Sequence, residues 1–206
     1  MEKDLPTEKK IKEAARKIFH KKGYAGTRTR DIAEEAGINP ALLNYYYRSK
    51  EKLFDLVFDE GFSEISASLN ILLNDDKFDL AVKIDYIVNK YIDVVSKNPD
   101  LPLFILGEIK ANPENLKKKL GLSGTLLTTS KLYEQMRNQL DFSGSIPVNP
   151  IHIIINILSM TIFPFVGKPL IKNMTEMNDL DFEQFIEERR TLIPMWIKSM
   201  LKIQEK

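Results

Sequence analysis

Residues 23–50, GYAGTRTRDIAEEAGINPALLNYYYRSK, decide how this chain is read. Gly23 can take the positive φ that ends a preceding helix. Thr27 is a good N-cap, so the pattern predicts a short helix from Arg28 with Ile32, Ala33 and Ala36 on its inner face. Gly37 stops that helix and Ile38 plugs the turn. Asn39 caps the next helix, with Pro40 in the first helical position, where no amide donor is missed. Two short helices around a glycine-containing turn form a helix-turn-helix over about residues 28–47. Its second helix, Pro40 to about Tyr46, presents Asn44, Tyr45 and Tyr46, and its positive end can face phosphate. Pro40 and Ala41 are small enough to let that end approach base edges. The segment implies binding to double-stranded DNA.

Charge is distributed to match. The whole chain of 206 residues carries a net charge of +1, which says nothing about nucleic acid. Residues 1–52, however, hold 13 Lys and Arg against 8 Asp and Glu, an excess of five positive charges. The remainder holds 17 against 21, an excess of four negative charges. A basic front and an acidic back is the asymmetry expected when one end meets phosphate.

The same stretch resembles the DNA-binding region of TetR-type bacterial transcriptional regulators. The resemblance is carried by Ala14-Ala15, Phe19, Gly23-Tyr24, Thr27, Asp31-Ile32-Ala33, Ala36-Gly37-Ile38-Asn39, Leu43-Asn44-Tyr45-Tyr46-Tyr47 and Lys50-Glu51-Lys52-Leu53. Asn39 replaces the usual Ser or Thr and keeps the capping role. Asn44 stands where Tyr is commonest, and an Asn can read adenine through a bidentate contact that Tyr cannot make. Beyond residue 53 the resemblance is one of layout, with Phe163-Pro164-Phe165 to Pro169-Leu170 similar to a helix-end motif of some members.

The rest of the chain is read as helices. Thr7 is expected to cap a first helix bearing Ile11, Ala14, Ala15, Ile18 and Phe19 on one face. Ser49 is expected to cap a fourth, running through Leu53, Val57, Gly61, Phe62 and Ile65 toward Leu69. Further helices are predicted over 78–97, 101–111, 125–140, 150–166 and 180–203, with residues 114–124 loop-like. No strand-type alternation of useful length occurs. The expected architecture is all-α: an N-terminal three-helix DNA-binding domain (1–52) joined by a continuous helix to a C-terminal helical ligand-binding and dimerisation domain (53–206).

Other chemistries find no support in the sequence. With no cysteine and only two histidines, there is no disulfide framework, thiolate metal site or catalytic thiol. No glycine-rich phosphate loop, zinc-type helix or nucleophile elbow is present, so no catalytic residue, metal or cofactor is assigned. The apolar run Ile151–Val166 is about sixteen residues against the ~20 needed to span a bilayer, and it contains His152, Asn156, Ser159, Thr161 and Pro164. No signal peptide or membrane span is expected, and the location is read as cytoplasmic.

Candidate sites follow. Thr27, Arg28, Tyr46 and Lys50 form the expected phosphate group; Pro40, Ala41, Asn44 and Tyr45 the base-edge group; Asn39 the cap behind them. Arg30 either meets phosphate or pairs with Glu34 at i,i+4. Tyr24 and Tyr47 are read as core aromatics. The resemblance implies a homodimer on a palindromic operator, formed by the last two helices; Ile151, Ile155, Leu158, Ile193, Trp196, Ile197 and Met200 are the candidates. The alternative is that both helices are simply monomer core. The resemblance also implies a small-molecule effector, with Phe104, Glu108, Tyr133, Met136, His152, Asn156 and Met160 as the lining offered, hydrophobic in character. Each of these residues also fits an ordinary core position, and His152 a hydrogen-bonded interface position. A DNA-binding regulator whose C-terminal domain binds a protein partner, or no effector, is the alternative.

Overall fold

Two glycines with positive φ divide the front of the chain into short helices. In the computed structural model, which describes residues 6–60, 74–111, 113–114, 128–142 and 148–203, α1 spans Thr7–Gly26 with a kink at Gly23 (φ 67°, ψ 175°). Helix α2 is Thr29–Ala36 and ends on Gly37 in the left-handed region at φ 65°. Helix α3 is Pro40–Tyr47 and α4 occupies residues 50–60. Then come α5 (Leu80–Lys97), α6 (Leu101–Ala111), α7 (Lys131–Phe142), α8 (Pro150–Val166), α9 (Lys168–Thr175) and α10 (Asp179–Met200). The protein is all-α.

Several boundaries differ from the sequence reading, each for a local reason. Pro6, not Thr7, is the residue before α1, and its carbonyl accepts from Lys9 and Lys10. Thr27 does not cap α2. Its hydroxyl turns back to donate to Gly23 O at 2.7 Å, and Arg28 takes the cap position, its N–H donating to Asp31 Oδ2 at 3.1 Å. Helix α5 starts at Leu80 because Asp79 caps it, accepting from Val82 N at 2.9 Å. Helix α7 starts at Lys131, behind Ser130, whose Oγ accepts from Tyr133 N. The sequence reading missed α9, an eight-residue helix with no apolar period long enough to announce it. The expected course of α4 through Gly61, Phe62, Ile65 and Leu69 lies outside the described residues, as does the loop expected over 114–124 except for Glu114, which is helical.

The chain divides into two compact units, Met1–Glu64 with Leu103–Leu120, and Ile65–Pro102 with Gly121–Lys206. The first is built on Ile11, Ala14, Ala15, Ile18 and Phe19 of α1, Ile32 and Ala33 of α2, and Leu43 of α3. Leu53, Phe54, Val57 and Phe58 of α4 close it. Phe104 of α6 joins this core, its ring 5.0 Å from His20, 5.3 Å from Phe54 and 5.8 Å from Phe58.

The second unit packs α5, α7, α8 and α10 around Leu80, Ile84, Ile87, Val88, Ile92, Leu132, Met136, Ile153, Ile157, Phe182, Ile186, Ile193 and Ile197. Pro164 lies inside α8, where it cannot donate to the carbonyl four residues back, that of Met160. Arg189 of α10 fills the vacancy: its Nη2 and Nε donate to Met160 O at 2.8 and 3.3 Å. The guanidinium also lies over the rings of Phe185 and Trp196. Arg190 and Lys198 tie α10 to α5 through Asp93 at 2.8 Å and Asp85 at 2.7 Å. Among the described residues no single helix is long and apolar enough to cross a membrane.

Candidate nucleic-acid interface

Helix α3 leaves most of its side chains exposed, among them Leu42, Tyr45 and Tyr46. Asn39 Oδ1 accepts from Ala41 N at 2.8 Å, satisfying one amide at the helix start, and Pro40 follows at the first helical position. Leu43 alone is buried, which fixes the rotation of the helix. That rotation leaves Pro40, Ala41, Asn44, Tyr45 and Tyr46 on the outside. Tyr45 is 78% exposed, a costly position for a large aromatic, and its ring meets that of Tyr46 edge to face (centroids 5.5 Å apart). An amide, two phenols and the amide-rich helix start thus share one open surface. They can donate to phosphate oxygens and exchange hydrogen bonds with base edges.

The turn that holds α3 in place is a closed knot. Lys50, at the start of α4, donates from Nζ to Tyr24 O at 2.9 Å and Thr27 O at 3.0 Å, and covers the Tyr24 ring at 4.0 Å. Thr27 is buried with its hydroxyl on Gly23 O. From α6, Glu108 accepts from Tyr24 N at 3.4 Å. So Thr27 and Lys50, expected to meet phosphate, lie beside the interface and spend most of their donors on the α1–α2 turn. Arg28 is exposed at the head of α2. Asp31 below it accepts from Arg28 N and pairs with Lys22 at 3.0 Å, which together hold its carboxyl below the usual range. Arg30 pairs with Glu34 at 3.2 Å, the intrahelical alternative of its spacing. Tyr24 and Tyr47 are half-buried: Tyr24 meets Phe54 edge to face at 4.8 Å, and Tyr47 donates to Glu8 O at 3.1 Å. Arg48, which the sequence reading passed over, ends α3 at φ 57° with its side chain exposed. Its only advance signal was a basic residue directly after Tyr45-Tyr46-Tyr47.

The seven lining candidates are shared between the two units. Phe104 and Glu108 belong to the first unit, as above. The other five lie in the second. Tyr133 donates to Asn149 Oδ1 at 3.2 Å, beside the cap of α8. Met136 is fully buried in the core, and Met160 is half-buried with its carbonyl on Arg189. His152 is exposed, and Asn156 Nδ2 lies 3.8 Å from Met200 Sδ. Of the candidate interface residues, Ile193 and Ile197 are fully enclosed in their own core, because the turn of α10 directs them inward. Ile151, Leu158 and Trp196 are half-buried. Ile155 is 52% exposed and shares an outward stripe of α8 with Phe163, at 59%; Met200 and Met195 are exposed on α10.

Comparison with known proteins bears on the first unit most directly. Residues 11–57 match the family described as bacterial regulatory proteins, tetR family. The chain is similar along nearly its whole length to a probable HTH-type transcriptional regulator, YttP, of Bacillus subtilis: 24% identical over 214 residues, covering 96% of this chain and 95% of that protein. It is 34% identical over 89 residues to the HTH-type transcriptional repressor NicS of Pseudomonas putida, covering 42% of each. In three dimensions it is similar to HlyIIR, a hemolysin II transcriptional regulator, with a TM-score of 0.62, 23% identity and coverage of 86% of this chain and 96% of that one.

Proposed function

Because this chain is a transcriptional regulator of the TetR family, with that family's DNA-binding region at residues 11–57, we propose that it is a repressor. It binds a palindromic operator as a homodimer, acts in the cytoplasm and leaves DNA when a small hydrophobic ligand binds. The observation that carries this reading is the outer face of α3. Asn44, Tyr45 and Tyr46 are open to solvent beside a capped helix start, while Leu43 locks the helix against the unit behind it. Pro40, Ala41, Asn44 and Tyr45 read base edges in the major groove; Arg28, Tyr46 and the remaining N–H of Lys50 grip the flanking phosphates, while Thr27 holds the turn beside them. Phosphate contacts set register and salt dependence, and the base-edge contacts choose the sequence.

Dimerisation is supported by the outward faces of α8 and α10. Ile155 and Phe163 at 52% and 59% exposure, with Met195 and Met200, form apolar surface that an isologous pair would cover. Two copies of α3 then meet half-sites about one helical turn or a multiple of it apart, ~34–36 Å being the groove repeat. The ligand is expected in the second unit, whose side chains are chiefly aliphatic and aromatic. It acts by preferring one of two arrangements of the DNA heads.

Footprinting the protein on the DNA upstream of its own gene, across a salt series, tests the reading. A protected imperfect palindrome with a steep salt slope is the expected result. Weak binding with no footprint at any salt concentration would refute autoregulatory repression.

A further inference from the structure

Arg48 closes the recognition helix with φ 57° and ψ −35°. L residues rarely adopt this region, whereas glycine enters it without a steric penalty. The residue still does a structural job, its N–H donating to Asn44 O at 2.9 Å. Glycine would do that job with less strain, so stability alone does not account for an arginine here. Strained positions that persist point to a role for the side chain.

The side chain is exposed, and among the described residues its guanidinium has no ion pair or hydrogen bond. Several other cations of the unit are engaged. Lys12 and Arg16 meet Glu60 at 2.6 and 3.0 Å, Lys22 meets Asp31 at 3.0 Å, and Arg30 meets Glu34 at 3.2 Å. Lys50 is held by two carbonyls at 2.9 and 3.0 Å. At the carboxyl end of α3 the helix presents partial negative charge from its last carbonyls, which would repel a DNA strand. A cation at that point removes the repulsion, and a planar guanidinium can hold a phosphate through two donors.

We propose that Arg48 is a phosphate-contact residue, gripping the DNA backbone beyond the bases that α3 meets, and that the left-handed backbone is kept in order to aim it. It acts beside Lys50, whose ammonium spends two of its three donors on the α1–α2 turn. The inference rests on the reading of α3 as the recognition helix.

The test uses the full chain and a mixed-sequence duplex about three helical turns long. Affinity is measured by fluorescence anisotropy across a salt series, and thermal stability without DNA, for wild type, Arg48→Gly and Arg48→Lys. Arg48→Gly is expected to hold or raise Tm while affinity falls on the order of five- to tenfold at 0.1 M salt and the salt slope flattens by about one. Arg48→Lys is expected to keep the wild-type slope. An Arg48→Gly protein with wild-type affinity and slope overturns the inference, as does one that loses Tm and affinity together. If the wild type itself fails to bind the duplex, the DNA reading falls with it; wild-type binding with an unchanged Arg48→Gly slope removes this inference alone.

Discussion

Replacing Arg189 with Met should destabilise the second unit, and the size of the loss should depend on Pro164. In the wild type, Met160 O has lost its helical donor to the proline and receives two N–H groups of Arg189 instead, at 2.8 and 3.3 Å. Hydrogen bonds from a charged donor contribute ~1.5–3 kcal/mol, and a half-buried carbonyl left without one costs a similar amount. The guanidinium also lies 5.4 and 5.6 Å from the Phe185 and Trp196 ring centroids, adding about 0.5–1 kcal/mol. Met keeps the apolar stem against those rings, so part of the packing survives. Arg189→Met alone should therefore cost ~2–3 kcal/mol. With Pro164→Ala, residue 164 regains an N–H that can donate to Met160 O. In that background the same Arg189→Met change should cost about 1 kcal/mol less, a coupling within the range seen for residues sharing one partner. Urea denaturation of the four proteins, followed by far-UV circular dichroism, gives the cycle. If the two substitutions add to within ~0.3–0.5 kcal/mol, Arg189 is not substituting for the missing helical donor and the account is wrong.

Lys83 is fully buried on α5 with no hydrogen-bond partner for its ammonium among the described residues, and burial holds its pKa below the ordinary 10.5. Lys83→Met should stabilise the protein by ~1–3 kcal/mol at neutral pH. Between its depressed pKa and 10.5 the unfolded chain binds more protons than the folded one, so wild-type stability rises with pH across that window. The advantage of Lys83→Met should then shrink toward pH 10.5; a pH-independent difference in chemical denaturation would refute the burial argument. Asn44→Ala should cost ~1–3 kcal/mol on the operator and relax the preference at one base position, as read by binding to a panel of single-base operator variants. An unchanged panel would remove Asn44 from the base-edge group. Ile155→Glu combined with Phe163→Glu should leave the chain folded by circular dichroism but halve the mass measured by light scattering, since both side chains are exposed in the single chain. A variant that stays dimeric would place the interface elsewhere.

Local chemistry alone determined the front of this protein. Gly37, Asn39 and Pro40 each impose a backbone state on their own neighbours, so the turn and the start of α3 appear where the residues require them. The outward set Asn44, Tyr45 and Tyr46 was read on the helix that Pro40 opens, and the structure turns Leu43 inward beside it. Asn149 ahead of Pro150 starts α8 by the same local chemistry. Contacts distant in sequence were not. Thr27 looks like a cap, yet it bonds Gly23, and Lys50 looks like a free cation, yet it closes a turn 23 and 26 residues away. Phe104 and Glu108 read as residues of the back half but complete the front unit, and Ile193 and Ile197 read as interface but fill their own core. Pro164 marks a missing donor in the sequence, while only packing reveals that Arg189 supplies it. Caps and turns depend on bonds within a few residues, which sequence order specifies directly. The partner of a buried carboxylate, ammonium or carbonyl depends on which helix faces end up opposed, and that is a property of the assembled chain.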